Sequence, residues 1–122
     1  MIELDLPWPP SVNESTRRYH LAGFRKEVTT IVMAAGWPTM GKARLFVVLT
    51  WHAPDNRRRD VDNPIKATLD SLKNASVYRD DSQIDQLIVL RGPIEKGGRA
   101  HVRISEIGLE MQGVVDYDKI PF

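Results

Sequence analysis

The chain has 122 residues, 42% of them apolar, and a formal net charge of +1, which suits one compact domain with a single core. It contains no cysteine, so disulfides, cysteine-ligated zinc and thiol nucleophiles are excluded. No long uncharged apolar run offers a membrane span, and a chain this close to neutral must owe any affinity for nucleic acid to where its charges lie.

Ile2, Leu4 and Leu6 alternate with Glu3 and Asp5, the pattern of a half-buried strand. Pro7-Trp8-Pro9-Pro10 ends it, because proline cannot donate to a ladder. The acids and prolines of this opening do not form a signal-peptide pattern, so a cytoplasmic protein is expected. A loop follows through Asn13 to Arg17, Arg18 and Tyr19; paired arginines beside an aromatic suit either a nucleic-acid backbone or an ordinary charged surface. A helix is predicted over 21–35, with Phe24, Val28, Ile31, Val32 and Ala35 on its apolar face and Gly36 as its stop. Residues 43–51 form a nearly unbroken apolar run rich in β-branched side chains, the mark of a central strand. His52 closes it, as a proton carrier or, more commonly for a lone strand-end histidine, as a structural group.

The densest chemistry comes next, in Arg57-Arg58-Arg59-Asp60-Val61-Asp62-Asn63-Pro64-Ile65-Lys66. Guanidiniums bind phosphate in planar, bidentate geometry. Carboxylates repel phosphate unless a divalent cation lies between, and Mg²⁺ is usually held by one or two carboxylates plus substrate phosphate. The combination points to metal-assisted chemistry on a phosphodiester; the plainer reading is a capped helix behind a solvated charge run. In an extended chain Asp60 and Asp62 share one face. Pro64 fits the first helical position with Asn63 as N-cap, and Ile65, Leu69 and Leu72 give the helix an apolar face. Lys66 projects from its first turn near the carboxylates.

Asp80 and Asp81 are adjacent before the next strand, 84–90; one of them can complete a three-carboxylate site, or both belong to a polar turn. Gly92-Pro93 and Gly97-Gly98 bracket a tight connection to a last strand, 99–106. There Ala100, Val102 and Ile104 face the core and Arg99, His101 and Arg103 face out, along a DNA backbone or into solvent. The expected fold class is α+β: a mixed sheet of about four strands packed against two helices, in the order β-α-β-α-β-β, with the last two strands as a hairpin.

Three blocks and a late hairpin resemble the RusA family of Holliday junction resolvases. Leu6-Pro7-Trp8-Pro9-Pro10-Ser11-Val12-Asn13 is similar to its N-terminal signature. Arg58-Arg59-Asp60-Val61-Asp62-Asn63, with Lys66 and Asp70, resembles its central motif. Tyr78-Arg79-Asp80-Asp81-Ser82-Gln83 resembles its third block, and Lys96-Gly97-Gly98-Arg99 its late hairpin. The likeness implies a homodimeric, Mg²⁺-dependent endonuclease that cuts four-way DNA junctions by paired nicks in recombination and repair. It makes Asp60, Asp62 and Asp81 the catalytic, metal-binding aspartates and Lys66 the essential lysine. Arg57, Arg58, Arg59, Arg17, Arg18, Asn13, Arg99 and Arg103 are then the expected DNA contacts. The alternatives are a non-catalytic DNA-binding module of the same fold and a nucleotide-sugar transferase of the Asp-x-Asp type, for which the chain is short.

Residues 1–107 make the expected nuclease domain and 108–122 a tail. The tail closes on Asp116-Tyr117-Asp118-Lys119-Ile120-Pro121-Phe122 and resembles the acidic C-terminal tip of bacterial single-stranded-DNA-binding proteins. It implies contact with repair enzymes that recognise that tip; the alternative is that Ile120 and Phe122 pack on the domain or across a dimer.

Overall fold

Alternation sets the first strand as expected: β1 (Ile2–Leu6) buries Ile2, Leu4 and Leu6 and exposes Glu3 and Asp5. The computed structural model describes residues 1–10 and 17–107, the first three of the following helix by backbone alone. Asn13 and the tail 108–122, with the expectations placed on them, lie outside the described residues.

Helix α1 (Arg17–Ala34) starts four residues before the expected position. Arg17 and Arg18, expected in a loop, belong to its first turn, since arginine is a good helix former and nothing there breaks the helix. Its end is as read: Gly36 takes φ +89°, and Trp37 N–H reaches back to the Val32 carbonyl at 3.0 Å while Gly36 N–H meets Met33 O, a Schellman closure that a left-handed glycine permits. Phe24, Val28 and Val32 are buried along its inner face.

Strand β2 (Leu45–His52) leads into helix α2 (Ile65–Asn74), a short 3₁₀ turn (Asp81–Gln83), β3 (Ile84–Arg91) and β4 (Arg99–Glu106). The sheet order is β1-β4-β2-β3, with β2 parallel to β3 and antiparallel to β4. The fold is α+β, a four-stranded mixed sheet with two helices. The hairpin expected of β3 and β4 does not form: β2 lies between them. The reason is in β2 itself. Leu45, Val47, Leu49 and Trp51 are all core, and Phe46 on the opposite face is also buried, so this strand must have partners at both edges. Its crossover through α2 places β3 parallel at one edge. The chain then passes over the end of β2 through Gly92 and Gly97-Gly98, so that β4 pairs along the other edge.

Helix α2 begins one residue later than expected. Pro64 is its N-cap with φ −82° and ψ −2°, and no side chain caps it. Its most buried positions are Ala67, Thr68, Ser71 and Leu72, with Ile65 and Leu69 half-buried beside them.

Candidate active site

β2 and β3 run parallel with Trp51 opposite Arg91, so their C-terminal ends lie side by side. Open α/β sheets place ligands beyond such ends, and residues 53–64 cross that rim to reach α2. Asp55 organises the first part of the crossing. Its Oδ1 accepts Arg57 N–H at 3.0 Å and Arg59 Nη1–H at 2.7 Å, a local side-chain turn of the kind aspartate favours. The Arg59 guanidinium, then the Arg57 amide, hold the Asp55 carboxyl down to about 2. Arg59 lies with its guanidinium carbon 5.6 Å from the ring centroid of Trp8, and Trp8 stands edge-on to Trp51 at 6.4 Å and 76°. Gly98, at φ +75°, lets the β3–β4 connection close over Trp8: a Cβ there would come within 2.8 Å of the Trp8 Cβ.

Two bonds fix the second part. Trp51 Nε1–H donates to the Val61 carbonyl at 2.7 Å, and an Arg91 guanidinium N–H donates to the Arg59 carbonyl. Between these anchors the chain turns, with Asn63 N–H on Asp60 O at 3.3 Å and Ile65 N–H on Asp62 O at 3.2 Å. The Asp60–Asp62 segment is therefore a turn and not extended, and the period-two argument for a shared face does not apply to it. Both aspartates are exposed, as are Arg57 and Arg58. Arg59, whose side chain is only 24% exposed, is the structural member of the three.

The Asp80-Asp81 pair divides its labour. Asp80 caps the 3₁₀ turn by accepting Ser82 N–H at 3.0 Å, and it pairs with Lys73 at 2.9 Å. Gln83 anchors the segment beneath it: its Oε1 accepts Arg79 and Asp80 N–H, each at 2.8 Å, and its amide donates to Gly41 O and Ala43 O at 2.9 and 2.8 Å. Asp81 takes no part in the cap. Its Oδ1 is buried with no hydrogen-bond partner among the described residues. Burial, then the neighbouring Asp70, raises its carboxyl above the usual range, with Tyr78 and Lys73 opposing. The Tyr78 hydroxyl spends its proton on Leu69 O at 2.6 Å and is held far above its ordinary value by burial and then by Asp81. Asp70 in turn lies 3.7 Å from the Lys66 ammonium, whose side chain is 75% exposed. Lys66 thus reaches Asp81 through Asp70, a link the spacing of residues did not disclose.

Among the described residues no three His, Asp or Glu side chains lie close enough together to hold a metal ion, so Asp60, Asp62 and Asp81 do not form a closed triad. The donors still suit Mg²⁺ in kind: carboxylate oxygens are hard ligands, Asp60 and Asp62 are open to solvent, and Asp81 holds out a buried oxygen that nothing among the described residues satisfies.

A groove of about 1040 Å³ runs from Pro7–Pro10 past Lys26 on α1 to Arg57, Arg58 and Asp60. The outward row on β4 lies away from it, on the face opposite the helices. Arg99 pairs with Asp5 and Glu95, His101 with Asp5 and Glu3, and Arg103 with Glu3. Acids of β1 thus interleave with what the sequence presents as a basic face. His52 has its Nδ1 2.9 Å from Pro93 O, which makes Nδ1 the donor, and its ring fills the space a Cβ on Gly92 would need. Its role is structural.

Sequence reasoning missed Trp51, Arg91 and Asp55 as the scaffold of the site. Two signals existed: a buried indole N–H needs a partner, and Asp-x-Arg before a charged run is a turn signature.

An α+β domain that carries guanidiniums and carboxylates at its strand ends, beside an open groove, is a framework for a nuclease. Residues 11–105 match the family model described as "Endodeoxyribonuclease RusA". The chain belongs to the RusA family of endodeoxyribonucleases and is an enzyme of that nuclease class. It is 38% identical over 110 residues to the crossover junction endodeoxyribonuclease rusA of Enterobacteria phage HK97, covering 84% of this chain and 92% of that relative. It is 36% identical over 115 residues to the crossover junction endodeoxyribonuclease RusA of Shigella sonnei, covering 88% and 96%. The protein of that name from Escherichia coli K12 matches to the same extent, 36% over 115 residues.

Proposed function

We propose that this chain is a Mg²⁺-dependent endonuclease that resolves four-way DNA junctions by paired nicks, acting in recombination and repair in the bacterial cytoplasm. Family membership and the printed activity of its relatives support the substrate. The observation that carries the chemistry is Asp81, a carboxylate kept free of hydrogen bonds at one buried oxygen while its neighbour Asp80 does the capping.

Asp60, Asp62 and Asp81 would hold the ion, which when bound supplies an activated water and neutralises charge on the phosphate. Arg57 and Arg58 bind phosphates beside the cut. Arg59 holds the turn, and Lys66 orients the water or meets transition-state charge from the first turn of α2. A C2 homodimer matches the approximate two-fold symmetry of a four-way junction and gives paired nicks. The sheet face opposite the helices, where Val48, Ile88 and Leu90 lie half-buried, is the surface for that pairing. The Ile120-Pro121-Phe122 segment docks on enzymes that recognise the single-stranded-DNA-binding protein tip; removing these three residues abolishes that binding and spares cleavage.

The decisive experiment is cleavage of a mobile four-way junction with Mg²⁺ and with EDTA. Symmetric nicks that depend on Mg²⁺ support the reading, and tight binding without nicks in either condition overturns it. That second outcome belongs to the non-catalytic DNA-binding module of the same fold.

A further inference from the structure

The turn that carries Asp81 is tied to the rest of the domain in three places. Two of the ties come from exposed side chains: Lys73 pairs with Asp80 at 2.9 Å, and an Arg44 guanidinium N–H donates to Ser82 O at 2.8 Å. Solvent competes for such contacts, and they hold little. The third tie is buried. Gln83 is 7% exposed, and its side-chain amide meets four backbone groups, with Oε1 accepting from Arg79 and Asp80 and Nε2 donating to Gly41 O and Ala43 O. A primary amide has two donors and one oxygen with two lone pairs. All of them are used, and only this orientation of the group satisfies every partner.

The two ends of that amide do different things. Oε1 completes a capping box with Asp80, a role that glutamate fills as well as glutamine. Nε2 does what only glutamine can do there. It reaches 42 and 40 residues back in sequence, to the connection between α1 and β2. That connection is itself laced to the stretch before the turn: Met40 N–H donates to Val77 O at 2.7 Å, and Gly41 N–H donates to Thr39 Oγ1 at 3.1 Å. Gly41 makes the bend between them at φ +58°, which glycine adopts without strain. Asp81 stands two residues before Gln83, and its buried Oδ1 has no partner of its own among the described residues. Its place is therefore set by the backbone that carries it, and Gln83 is the buried tie on that backbone.

We propose that Gln83 is the positioning residue of Asp81: by fastening the Asp80–Gln83 turn to the α1–β2 connection it sets where the metal-binding carboxylate stands. The inference rests on the metal-dependent reading above. Gln83 touches neither the ion nor DNA and acts through Asp81 alone. Ligands work only when held to within about 0.5 Å of their productive geometry, and the groups behind them cost roughly 10–100-fold in metal affinity or activity when lost. Asp60 and Asp62 sit on a crossing held by Trp51 and Arg91, so the two parts of the donor set are fixed independently. A slack turn under Asp81 would spoil their spacing while leaving the crossing intact.

Gln83→Glu is the test, because it keeps the acceptor of the capping box and turns an oxygen on Gly41 O and Ala43 O in place of two donors. Two measurements are made on the full chain, well below its melting temperature. One is the binding of Mn²⁺ alone to the DNA-free protein by titration calorimetry; the other is single-turnover cleavage of a four-way junction with Mg²⁺, over a range of protein concentrations. In Gln83→Glu the Mn²⁺ affinity and the limiting rate are each expected to fall about tenfold or more, while the concentration at half-maximal rate stays within about twofold. Val102→Ala, a truncation in the fully buried part of β4, is expected to melt lower and keep both values. A glutamine that only stabilises the fold would behave like Val102, so Mn²⁺ affinity or limiting rate within about twofold of the unmodified protein overturns the inference. Should Gln83→Glu show no melting transition, Gln83→Met, which keeps the length and lacks the donors without burying a charge, is judged by the same two values. An unmodified protein that cuts no junction overturns the functional reading, and the positioning role falls with it; one that binds Mn²⁺ and cuts, with the variant as its equal, overturns the positioning role alone.

Discussion

Trp51→Phe separates what holds the domain together from what holds the site. The substitution keeps an aromatic ring in the sheet but deletes the Nε1–H bond to Val61 O at 2.7 Å. An acceptor left without its partner costs about 1–3 kcal/mol. Trp51 is 3% exposed, and the smaller ring leaves a void of a few tens of Å³ that adds about 1 kcal/mol. The expected loss is about 2–4 kcal/mol, or roughly 8–16 °C in melting temperature for a domain of this size. The same bond anchors the turn that carries Asp60 and Asp62, and misplacing a reacting group by about 1 Å can cost on the order of 10²-fold in rate. Val47→Ala is the control. Val47 is fully buried on the same strand, where it pairs with Leu87 and Ile104, and its truncation lowers stability by about 2 kcal/mol through a cavity. Melting followed by circular dichroism, and single-turnover junction cleavage well below both melting points, decide the matter. Trp51→Phe is expected to cut at least tenfold more slowly than Val47→Ala while binding the junction normally. Equal cleavage by the two would refute the claim that the indole bond positions the turn.

Asp81→Asn should abolish cutting yet raise the melting temperature of the metal-free protein at pH 7. Because the folded-state carboxyl is raised by burial and then by Asp70, the folded chain keeps its proton where the unfolded chain has lost it. Stability therefore falls as pH climbs through that window, and a lower melting temperature for the variant would sink the argument. Arg58→Ala should shallow the dependence of log K on log salt for junction binding by about one unit; an unchanged slope in fluorescence anisotropy removes Arg58 from the phosphate path. Asp55 should titrate near its depressed value of about 2. Its hold on Arg59 is complete above the ordinary carboxylate range and is lost as pH falls toward that value, so an NMR titration midpoint near 4 would contradict the Arg59 contact.

The strands were legible because burial imposes a period on them. Ile2, Leu4 and Leu6, and later Ala100, Val102 and Ile104, announce one buried face each, and the run through Val47 and Leu49 announces a strand buried on both. Pairing was not legible in the same way. Nothing in the period of β3 says that it lies beside β2 and not β4; that follows from the crossover through α2, which closes only in three dimensions. The candidate site was legible as residue types, since arginines, aspartates and a lysine cluster in ten positions. Its geometry was not, because Asp60 and Asp62 occupy a turn set by Trp51 and Arg91, and Lys66 meets Asp81 by way of Asp70. Charge readings transferred least well. Arg99, His101 and Arg103 form a basic row only if β1 is ignored, and Glu3 and Asp5 stand opposite them.

These ties explain why the focal stretch cannot work as a detached motif. Each anchor of the Arg57–Asp62 crossing comes from a different part of the fold. Trp8 follows β1, Trp51 ends β2, Arg91 ends β3, and Gly98 lets the β3–β4 connection close over Trp8. The local elements are the Asp55 turn, which fixes Arg59, and the Asn63–Asp60 and Ile65–Asp62 backbone bonds, which curl the segment without tying it to the sheet. The crossing therefore takes its shape only when β1, β2 and β3 have reached their places, with β2 between β3 and β4. A sheet in which β3 and β4 formed a simple hairpin would separate Arg91 from the Arg59 carbonyl and leave Asp60 hinged on Trp51 alone. The strand order is thus a condition of the site and not merely its support. It also shapes the groove, because the Trp8–Arg59 pair that holds the crossing down lines it as well.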